Sequence, residues 1–408
     1  GSEEDWEGGC GIYLDGRLTS TWAVSGVRVT EAPWVGIIQF SGTLDLERTS
    51  ILENSDRGLE SYYGTLEATD ILVQGNHEVG LYLSNSSATL QGVQVLDTQP
   101  DATGAGGRGV DVQEESTLEA TDCLVQGNHE LGLMVSESTA SLNDCLLQGN
   151  QEIGLFVSIH SNATLQGVRV LDTQTDANGE FGRGINVQDG STLEANDCLV
   201  QGNHEFGVFV AKSTATLQGV QVLDTQPDAT GAGGRGVNEQ DDSTLVATDC
   251  LLQRNHEIGL FVADSTAMLE GVQVLDTRRN TVTTAAIGVG SQEDSTVIAT
   301  DLDVQNTDGP ALYVVLEALL NCAGCTLTDN AFAGAVVQSG GELLLEASVI
   351  EGTVSGSSVG AGLGVFASDL DAEWYAPPSL TLLDSTVRDN EMGAVYIKGA
   401  GSHELTGN

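Results

Sequence analysis

An internal repeat constrains the fold of this chain more strongly than any local signal. Residues 90–110, LQGVQVLDTQPDATGAGGRGV, recur letter for letter at 217–237, and CLVQGNHE at 123–130 recurs at 198–205. The polar residue that opens each unit recurs every 22, 23 or 30 residues, at Thr65, Ser87, Thr117, Thr139, Asn162, Thr192, Thr214, Thr244, Thr266 and Thr296. With the less regular flanks, about fourteen units can be counted, and repeats of this kind stack to share a continuous core.

Within a unit, apolar and polar residues alternate, which is the pattern of β-strands. In residues 117–135, Leu118 and Ala120 form one inward pair and Cys123 and Val125 the next, with a turn between them. The chain has 51 Gly and 6 Pro, a composition that allows tight corners without removing many ladder N–H groups. The sequence therefore predicts an all-β solenoid of about fourteen rungs, with three strands per rung stacked in parallel.

The segment DCLVQGNHELGLMV at 122–135 resembles the repeat of the pectin-lyase-like right-handed parallel β-helix family. The likeness lies in the inward Cys, the Asn at the second corner and the Gly-Leu start of the third strand, and it extends over roughly residues 22–400. It implies a right-handed parallel β-helix of the secreted bacterial type. Because that family contains lyases, hydrolases, epimerases, tailspikes and adhesins, the resemblance implies no single activity. The corner amides are expected to stack as a ladder, at Asn76, Asn128, Asn150, Asn203 and Asn255.

The ends of the chain depart from the repeat. Residues 1–21 do not fit it, and we predict that they form an N-terminal cap segment over the first rung. Residues 22–408 are predicted to form a single parallel β-helix domain. Its last unit stops within a repeat at Gly407-Asn408, so we expect this domain to be truncated at its C-terminus.

The charge balance excludes two classes of partner. Lys and Arg number 14 against 59 Asp and Glu, a formal net charge of −45, which disfavours nucleic acid and anionic membrane surfaces. No apolar run approaches the length of about 18 residues that a transmembrane helix needs, so no membrane insertion is expected in this segment. With only two lysines, Lys212 and Lys398, the surface is typical of an extracellular or cell-surface protein.

A column of large side chains marks the third strand of the short units. Its outward position holds Tyr82, Met134, Phe156, Phe209 and Phe261. Two interpretations are open: the long loops fold back and cover these side chains, or the column forms hydrophobic platforms that stack on sugar rings. In the second case we expect the corner acids Glu130, Glu205 and Glu257 to take part in ligand binding. A separate outward column of leucines, which includes Leu72 and Leu124, makes self-association possible.

The long loops at 98–108, 173–183 and 225–235 are acidic and contain candidate metal ligands. Asp101, Asp176 and Asp228 could bind Ca²⁺ together with loop carbonyls, and His204 could join Asp176 and Asp228 in a shared site. The alternative, which we favour from sequence, is that these aspartates are solvated turn residues and that each corner His bonds to its own corner or loop.

The cysteines have an inward pattern. Cys123 and Cys145 are predicted to lie on adjacent rungs, close enough to form a disulfide, and whether they do is open. The sulfurs of Cys322 and Cys325 are also predicted to point inward, which makes a redox role improbable in spite of their C-x-x-C spacing.

The sequence favours a non-catalytic role. Near-verbatim repeats produce many equivalent sites, whereas catalysis needs one site with differently tuned groups. We therefore predict an adhesion, polysaccharide-binding or structural stalk whose partner is an extracellular polysaccharide or a surface protein. The alternative is a polysaccharide lyase, glycoside hydrolase or epimerase, with Asp371 and Glu373 in the irregular insertion 351–378 as its candidate carboxylate pair.

Overall fold

The computed structural model describes residues 9–16, 19–282, 286–355, 362–369, 375–399 and 401–406, and every regular element among them is a β-strand. The chain divides into two compact units, Gly1–Leu199 and Val200–Asn408. Each unit is a parallel β-helix with three strands per turn, which confirms the predicted all-β solenoid.

The alternation of apolar and polar residues determines which face of each strand is buried. In Thr117–Thr121, Leu118 and Ala120 are buried while Thr117 and Glu119 are exposed. The next rung aligns in register, so that Leu118 pairs with Ala140 and every inward residue lies on another inward residue. We call the strands of this TLEAT type sheet 1, the three-residue strands that follow them sheet 2, and the longer strands that complete each turn sheet 3.

The first unit contributes seven or eight strands to each sheet. Its sheet 1 strands are Thr21–Ser25, Thr43–Glu47, Thr65–Thr69, Ser87–Gln91, Thr117–Thr121, Thr139–Asn143, Asn162–Gln166 and Thr192–Asn196. Its sheet 2 strands are Arg28–Thr30, Ser50–Leu52, Leu72–Gln74, Gln94–Leu96, Leu124–Gln126, Leu146–Gln148 and Arg169–Leu171, and Leu199–Gln201 crosses the sequence boundary between the units. Its sheet 3 strands are Ile12–Asp15, Ile37–Phe40, Leu59–Tyr62, Val79–Ser84, Arg108–Gln113, Leu131–Ser136, Ile153–Ser158 and Arg183–Gln188.

The second unit repeats this pattern. Its sheet 3 strands are Phe206–Ala211, Arg235–Gln240, Ile258–Ala263, Ile287–Gln292, Leu312–Val314, Phe332–Gln338, Gly362–Ser368 and Gly393–Lys398. Its sheet 1 strands are Thr214–Gln218, Thr244–Thr248, Thr266–Glu270, Thr296–Thr300, Leu319–Ala323, Glu342–Glu346, Ser379–Leu383 and Ser402–Thr406. Its sheet 2 strands are Gln221–Leu223, Leu251–Gln253, Gln273–Leu275, Asp303–Gln305, Thr326–Thr328, Val349–Glu351 and Thr386–Arg388.

The number of rungs exceeds the sequence estimate. Each unit has eight sheet 3 strands among the described residues, so the chain has sixteen where about fourteen were expected. The estimate was low because it counted repeat signatures, whereas backbone pairing defines a rung. Ile12–Asp15, for example, pairs with Ile37–Phe40 although residues 1–21 show no repeat signature.

Polar ladders support the corners. At the corner between sheets 2 and 3, Asn128 Nδ2 donates to Asn150 Oδ1 at 2.8 Å. The predicted amide ladder is interrupted on the long rungs, where Thr98 occupies the corner and its backbone N–H donates to Asn128 Oδ1. Serines form a second ladder between sheets 3 and 1; the N–H of Ser116, for example, donates to Ser138 Oγ. Because buried backbone groups need such partners, these ladders fix the corners and hence the loops next to them.

Candidate functional site

A polar cleft of about 260 Å³ lies on the outer face of sheet 3 in the first unit. The side chains that define its chemistry are Arg57, Glu78, Tyr82, Arg108, Asp111 and Gln113. They come from three consecutive rungs and from the long loop that precedes Arg108. We call this site the Arg57 cleft.

The strand Arg108–Gln113 supplies three polar side chains to the cleft. In Arg108–Gln113, a Cβ at Gly109 would lie 2.6 Å from Asn128 Nδ2 and 2.6 Å from the Gly132 carbonyl oxygen, so only glycine fits there. Arg108 and Asp111 form an ion pair, with Arg108 Nη1 3.1 Å from Asp111 Oδ2. Gln113, two residues further along, donates to the same carboxylate at 2.8 Å.

Arg57 is the most constrained cation of the cleft. Its Nη1 donates to Glu60 Oε1 at 2.9 Å and its Nη2 to Glu78 Oε1 at 2.7 Å. The guanidinium lies 4.6 Å from the centre of the Tyr82 ring, a cation–π contact. Its Nε is buried and has no hydrogen-bond partner in the described structure. A donor left unpaired at the wall of a cleft is costly unless water or a ligand accepts its proton.

Arg108 is held in a second ion-pair network. Its Nε and Nη2 donate to the two carboxylate oxygens of Glu130, each at 3.1 Å, in the bidentate geometry that fixes a guanidinium plane. Asp111 is 1% exposed, and this burial raises the pKa of its carboxyl although Arg108 and Gln113 favour the charged form. The cleft thus presents polar groups whose positions are set before any ligand arrives.

Burial gives Glu78, which lines the cleft, and the nearby carboxyl groups of Asp56 and Glu60 unequal proton affinities. Burial raises the pKa of Glu60 to about 7, with Arg57 opposing the shift. The pKa of Asp56 is raised to about 6 by burial and by its hydrogen bond to Glu78. Burial also acts on Glu78, but hydrogen bonds from Arg57 and Asp56 outweigh it and lower the pKa of that carboxyl. The pair therefore carries its proton on Asp56, and this proton is lost as the pH rises through about 6.

The predicted aromatic column is only partly open. Tyr82, Met134 and Phe156 are half-buried, whereas Phe209 and Phe261 are 7% and 8% exposed. For these two, the interpretation that they are covered holds, and they do not form open platforms. The Arg235 guanidinium lies 4.5 Å from the centre of the Phe261 ring, so the end of the long loop supplies part of the cover.

Two of the predicted ligand-binding glutamates are engaged in ion pairs. Glu130 binds Arg108, and Glu257 Oε1 accepts from Arg235 Nη2 at 2.9 Å. Glu205 lies at the equivalent corner with a φ of 54°, where its carbonyl oxygen accepts from the N–H of Gly234 at 2.8 Å. The corner glutamates thus help to seat the long loops.

The candidate metal ligands are occupied within their own loops. Asp101 Oδ1 accepts from the N–H and the hydroxyl of Thr103 and from the N–H of Ala105. Asp228 Oδ1 accepts in the same way from Thr230 and Ala232. Asp176 Oδ1 accepts from the N–H groups of Asn178 and Glu180. His204 lies at its corner, where its backbone forms an isolated parallel β-bridge with Gln226. Across the described ranges, no three His, Cys, Asp or Glu side chains are grouped to hold a metal ion. Calcium binding through loop carbonyls stays a prediction.

The remaining candidates lie in the core or outside the described residues. Asp371 and Glu373 fall in a segment that the structure does not describe. Cys322 and Cys325 are buried and form a disulfide, so their sulfurs point inward as predicted. Cys123 and Cys145 are neighbouring buried thiols. The hydrogen bond between them raises the pKa of Cys123 and lowers that of Cys145.

Sequence reasoning missed Asp56, Arg57 and Glu60. A signal was present: residues 56–60 read DRGLE where the next rung, at 78–82, reads EVGLY. Arg57 pairs with Glu78 and with Glu60, which is 4% exposed, so this short rung carries the arrangement that Arg108 forms with Asp111 and Glu130 after a long loop.

Comparisons with known proteins agree with this architecture. A family model described as "Right handed beta helix region" matches residues 61–222, which confirms the resemblance noted in the sequence. The fold of the chain is a right-handed parallel β-helix. No curated protein sequence matches it. No helix among the described residues is long and apolar enough to cross a membrane.

Solved structures with a similar course of the chain are distant in sequence. The Dettilon tailspike protein gp208 is 12% identical with a TM-score of 0.36; the match covers 80% of this chain and 61% of that one, so this chain spans less than two thirds of the tailspike. The Vag8–C1 inhibitor complex matches at 14% identity and a TM-score of 0.43, covering 95% and 99% of the two chains. The alginate lyase AlyF-OU02 matches at 9% identity and a TM-score of 0.40, covering 91% and 85%.

Proposed function

We propose that this protein binds an extracellular polysaccharide without cleaving it, and that the Arg57 cleft is a binding site. The observation that supports this most is the cleft itself, in which a tyrosine ring and fixed polar side chains line a space of about 260 Å³. Sites for small polar ligands combine apolar contact with a few hydrogen-bonding groups held in place. Sugars, with hydroxyls on their edges and C–H groups on their faces, need this combination.

The contacts of the cleft match the hydrogen-bonding needs of sugar hydroxyls. Each hydroxyl can donate one bond and accept others. The exposed parts of the Arg57, Glu78 and Arg108 side chains, which are 22%, 35% and 30% accessible, supply such donors and acceptors, and Gln113 also lines the cleft. Because Arg57 and Arg108 are already held by ion pairs, little side-chain freedom would be lost on binding.

Charge favours a neutral sugar over a uronate. The two arginines of the cleft face Glu78, Asp101 and Asp111, and the whole chain has a net charge of −45. A polyuronate would be repelled at long range at low ionic strength. A small polar cleft of this kind is also a poorer fit for a folded surface protein than for a sugar chain. An extracellular or cell-surface location accords with this ligand class.

The proposal is tested by titration calorimetry with cello-, malto- and chito-oligosaccharides and with oligogalacturonates, with and without Ca²⁺. We expect at least one neutral series to bind. Gln113→Ala should weaken that binding about 3- to 10-fold, which is the effect of losing one hydrogen bond. Gln240→Ala, at the equivalent position of the second unit, is the matched control and should leave binding unchanged. If no neutral sugar binds at millimolar concentration, the proposal is wrong.

A hydrolase is the second candidate, and one observation favours it. The pKa of Asp56 is raised to about 6, and Asp56 hydrogen-bonds to Glu78, which lines the cleft, so a carboxylic acid is available next to the cleft in mildly acidic solution. The same sugars should then be cleaved, and Asp56→Asn should abolish cleavage while it preserves binding. An assay for reducing ends or unsaturated products over a day decides between the two candidates. Products that persist in Asp56→Asn exclude Asp56 as the acid.

A further inference from the structure

A second depression, of about 300 Å³, lies at the corner where the same sheet 3 strands end in the first unit. The side chains that characterise it are Thr43, Tyr63, Thr65, Asn85, Ser87 and Thr117. We call it the Tyr63 groove. Its walls are mostly hydroxyl and amide groups, and its one aromatic residue is Tyr63.

Tyr63 is a large and exposed side chain at a corner of the coil. Its φ is 55°, in the left-handed region that bulky residues rarely adopt, and its side chain is 59% exposed. The equivalent corner positions on the adjacent rungs hold the smaller residues Ser41 and Asn85, with φ values of 61° and 49°. Because Ile159, at an equivalent corner, has a φ of 54°, the left-handed backbone belongs to the repeat, and the exposed aromatic ring is what distinguishes Tyr63.

The tyrosines of this region differ in whether their rings are free. Tyr62 stacks on Phe40 with ring centres 5.0 Å apart, and Tyr82 is covered on one side by Arg57. Tyr63 makes no ring contact with any residue that the structure describes. Its aromatic face is therefore available to the C–H face of a sugar ring, which is the contact that the half-covered Tyr82 offers poorly.

The polar wall of the groove suits sugar hydroxyls better than ions. Ser87 Oγ donates to Thr65 Oγ1 at 3.3 Å, a weak bond that a ligand hydroxyl can replace. Asn85 Nδ2 donates to Glu114 Oε2 at 3.1 Å and keeps its carbonyl oxygen as an acceptor. The groove contains one charged lining residue, Glu115, and no cation among the lining residues.

The groove and the Arg57 cleft lie on the same strands. Tyr82 borders the cleft in Val79–Ser84, and Asn85 borders the groove immediately after that strand. Three residues of extended chain separate them, which is about 10 Å along the strand. A single extended ligand can therefore touch both sites if it runs along the strands of sheet 3.

We infer that Tyr63 is the stacking platform of a second sugar subsite, and that one neutral oligosaccharide lies along the sheet 3 strands from the Arg57 cleft to the Tyr63 groove. This inference rests on the proposed function, because it assumes that the cleft binds sugar. It adds the direction in which the ligand lies. It also identifies Tyr63 as the residue that makes binding affinity depend on the number of sugars in the ligand. The ligand runs along the strands, at a right angle to the column Tyr82, Met134 and Phe156, which crosses the rungs.

Titration calorimetry with cello-, malto- and chito-oligosaccharides of two and six sugars tests this arrangement. Tyr63→Ala should weaken hexasaccharide binding about 3- to 10-fold, the loss expected for one stacking contact. It should leave disaccharide binding at the cleft unchanged. Tyr63→Phe keeps the ring and should bind as the unchanged protein does. Tyr63→Asn introduces the residue that stands at the equivalent corner, Asn85, so it removes the ring while it keeps the left-handed backbone. It replaces Tyr63→Ala as the test if alanine perturbs the corner.

Ile159→Ala is the matched control, because Ile159 has a φ of 54°, is 42% exposed and lies at an equivalent corner of the same unit. Its hexasaccharide binding should be unchanged. If Gln113→Ala weakens binding but Tyr63→Ala and Tyr63→Asn do not, the second subsite is refuted while the proposed function stands. If no sugar of either length binds, both the inference and the proposed function are refuted.

Discussion

Residues 90–110 of the first unit and 217–237 of the second have the same sequence, yet the arginine that ends each loop has different neighbours. In the first unit Arg108 pairs with Asp111 and Glu130, beside a cleft of about 260 Å³. In the second unit Arg235 donates to Asn238 and Glu257 and lies 4.5 Å from the Phe261 ring. Identical loops therefore accompany an open polar cleft in one place and a covered aromatic surface in the other.

The difference comes from the residues that follow the loop and from the adjacent rungs. Asp111 is replaced by Asn238, and the neighbouring side chains Tyr82 and Met134 are replaced by Phe209 and Phe261. The two phenyl rings carry no polar group, and Phe261 packs under the Arg235 guanidinium, whereas the Tyr82 hydroxyl and the acids keep the cleft polar. In a stacked repeat, the side chains that align across neighbouring rungs determine the polarity of the surface as much as the sequence of each repeat does.

The cores of the two units differ at one further position. Val112 is buried in the first unit, and its counterpart in the second is Glu239, which is 0% exposed between Val210 and Val262. Neither carboxyl oxygen of Glu239 has a hydrogen-bond partner in the described structure. Burial raises the pKa of this group to about 8, with the backbone of Leu245 opposing the shift. A charge is disfavoured there, so Glu239 is protonated at neutral pH.

Removing the covered rings should have the largest effect. The double variant Phe209→Ala with Phe261→Ala should lose about 3–6 kcal/mol of unfolding free energy, since each buried Phe contributes about 1.5–3 kcal/mol. Met134→Ala with Phe156→Ala, on half-buried side chains, should lose less than half as much. Thermal melts of both variants check this. An unchanged melting temperature in the first variant would mean that the rings are open in solution and would restore the platform interpretation.

Exchanging the core residues should have the next largest effect. Glu239→Val should stabilise the second unit by about 2–4 kcal/mol at pH 8, because it removes an unpaired carboxyl from the core. The reciprocal variant Val112→Glu should destabilise the first unit by a similar amount. Denaturant unfolding of the two variants measures both changes. Equal stability of Glu239→Val and the parent protein would show that water or a partner satisfies Glu239.

The advantage of Glu239→Val should depend on pH with a definite sign. The folded pKa of about 8 lies above the unfolded value of about 4.5, so the folded protein binds more protons between these two values. The parent protein should therefore lose stability relative to the variant as the pH rises from 4.5 to 8, by at most about 1.4 kcal/mol per pH unit. Measurements at pH 5, 6.5 and 8 test this, and a constant difference would contradict it.

Changing the strand residue after the loop should have a smaller effect. Asp111→Asn makes the first unit resemble the second, where Asn238 Oδ1 accepts from Arg235 Nη1 at 2.7 Å. The change should alter the unfolding free energy by less than about 1 kcal/mol, because the cost of burying the charge and the gain from Arg108 nearly cancel. Asn238→Asp is the control in the opposite direction. A loss of several kcal/mol in Asp111→Asn would show that the ion pair dominates over its burial.

Calcium should have the smallest effect. If the loop carbonyls join Asp101 and Asp228, 10 mM Ca²⁺ should raise the melting temperature by about 1–2 °C through weak binding to the folded state. Asp101→Ala with Asp228→Ala should abolish this rise, and Mg²⁺ should not reproduce it because it demands octahedral coordination. An identical melting curve with and without Ca²⁺ would exclude these loops as calcium sites.

The sequence by itself determined the fold, the inward columns and the corners. Alternation along a strand and repetition between strands are both written in the chain, and together they require parallel stacking in register. Leu118 and Ala120 are buried as predicted, and the corner amides Asn128 and Asn150 bond to each other. Each of these features depends only on a residue and on the equivalent residue one rung away. Both can be identified in the sequence, so the feature can be predicted from it.

The tertiary structure decided which parts of the outer surface are open and which acids hold a proton. Arg57 and Glu78 are 21 positions apart in sequence but form an ion pair, and Phe209 is covered where Tyr82 is half-buried. These outcomes depend on the direction of side chains from several rungs and on how much water the neighbours exclude. Desolvation is a property of the packed assembly, and no residue type or spacing specifies it in advance.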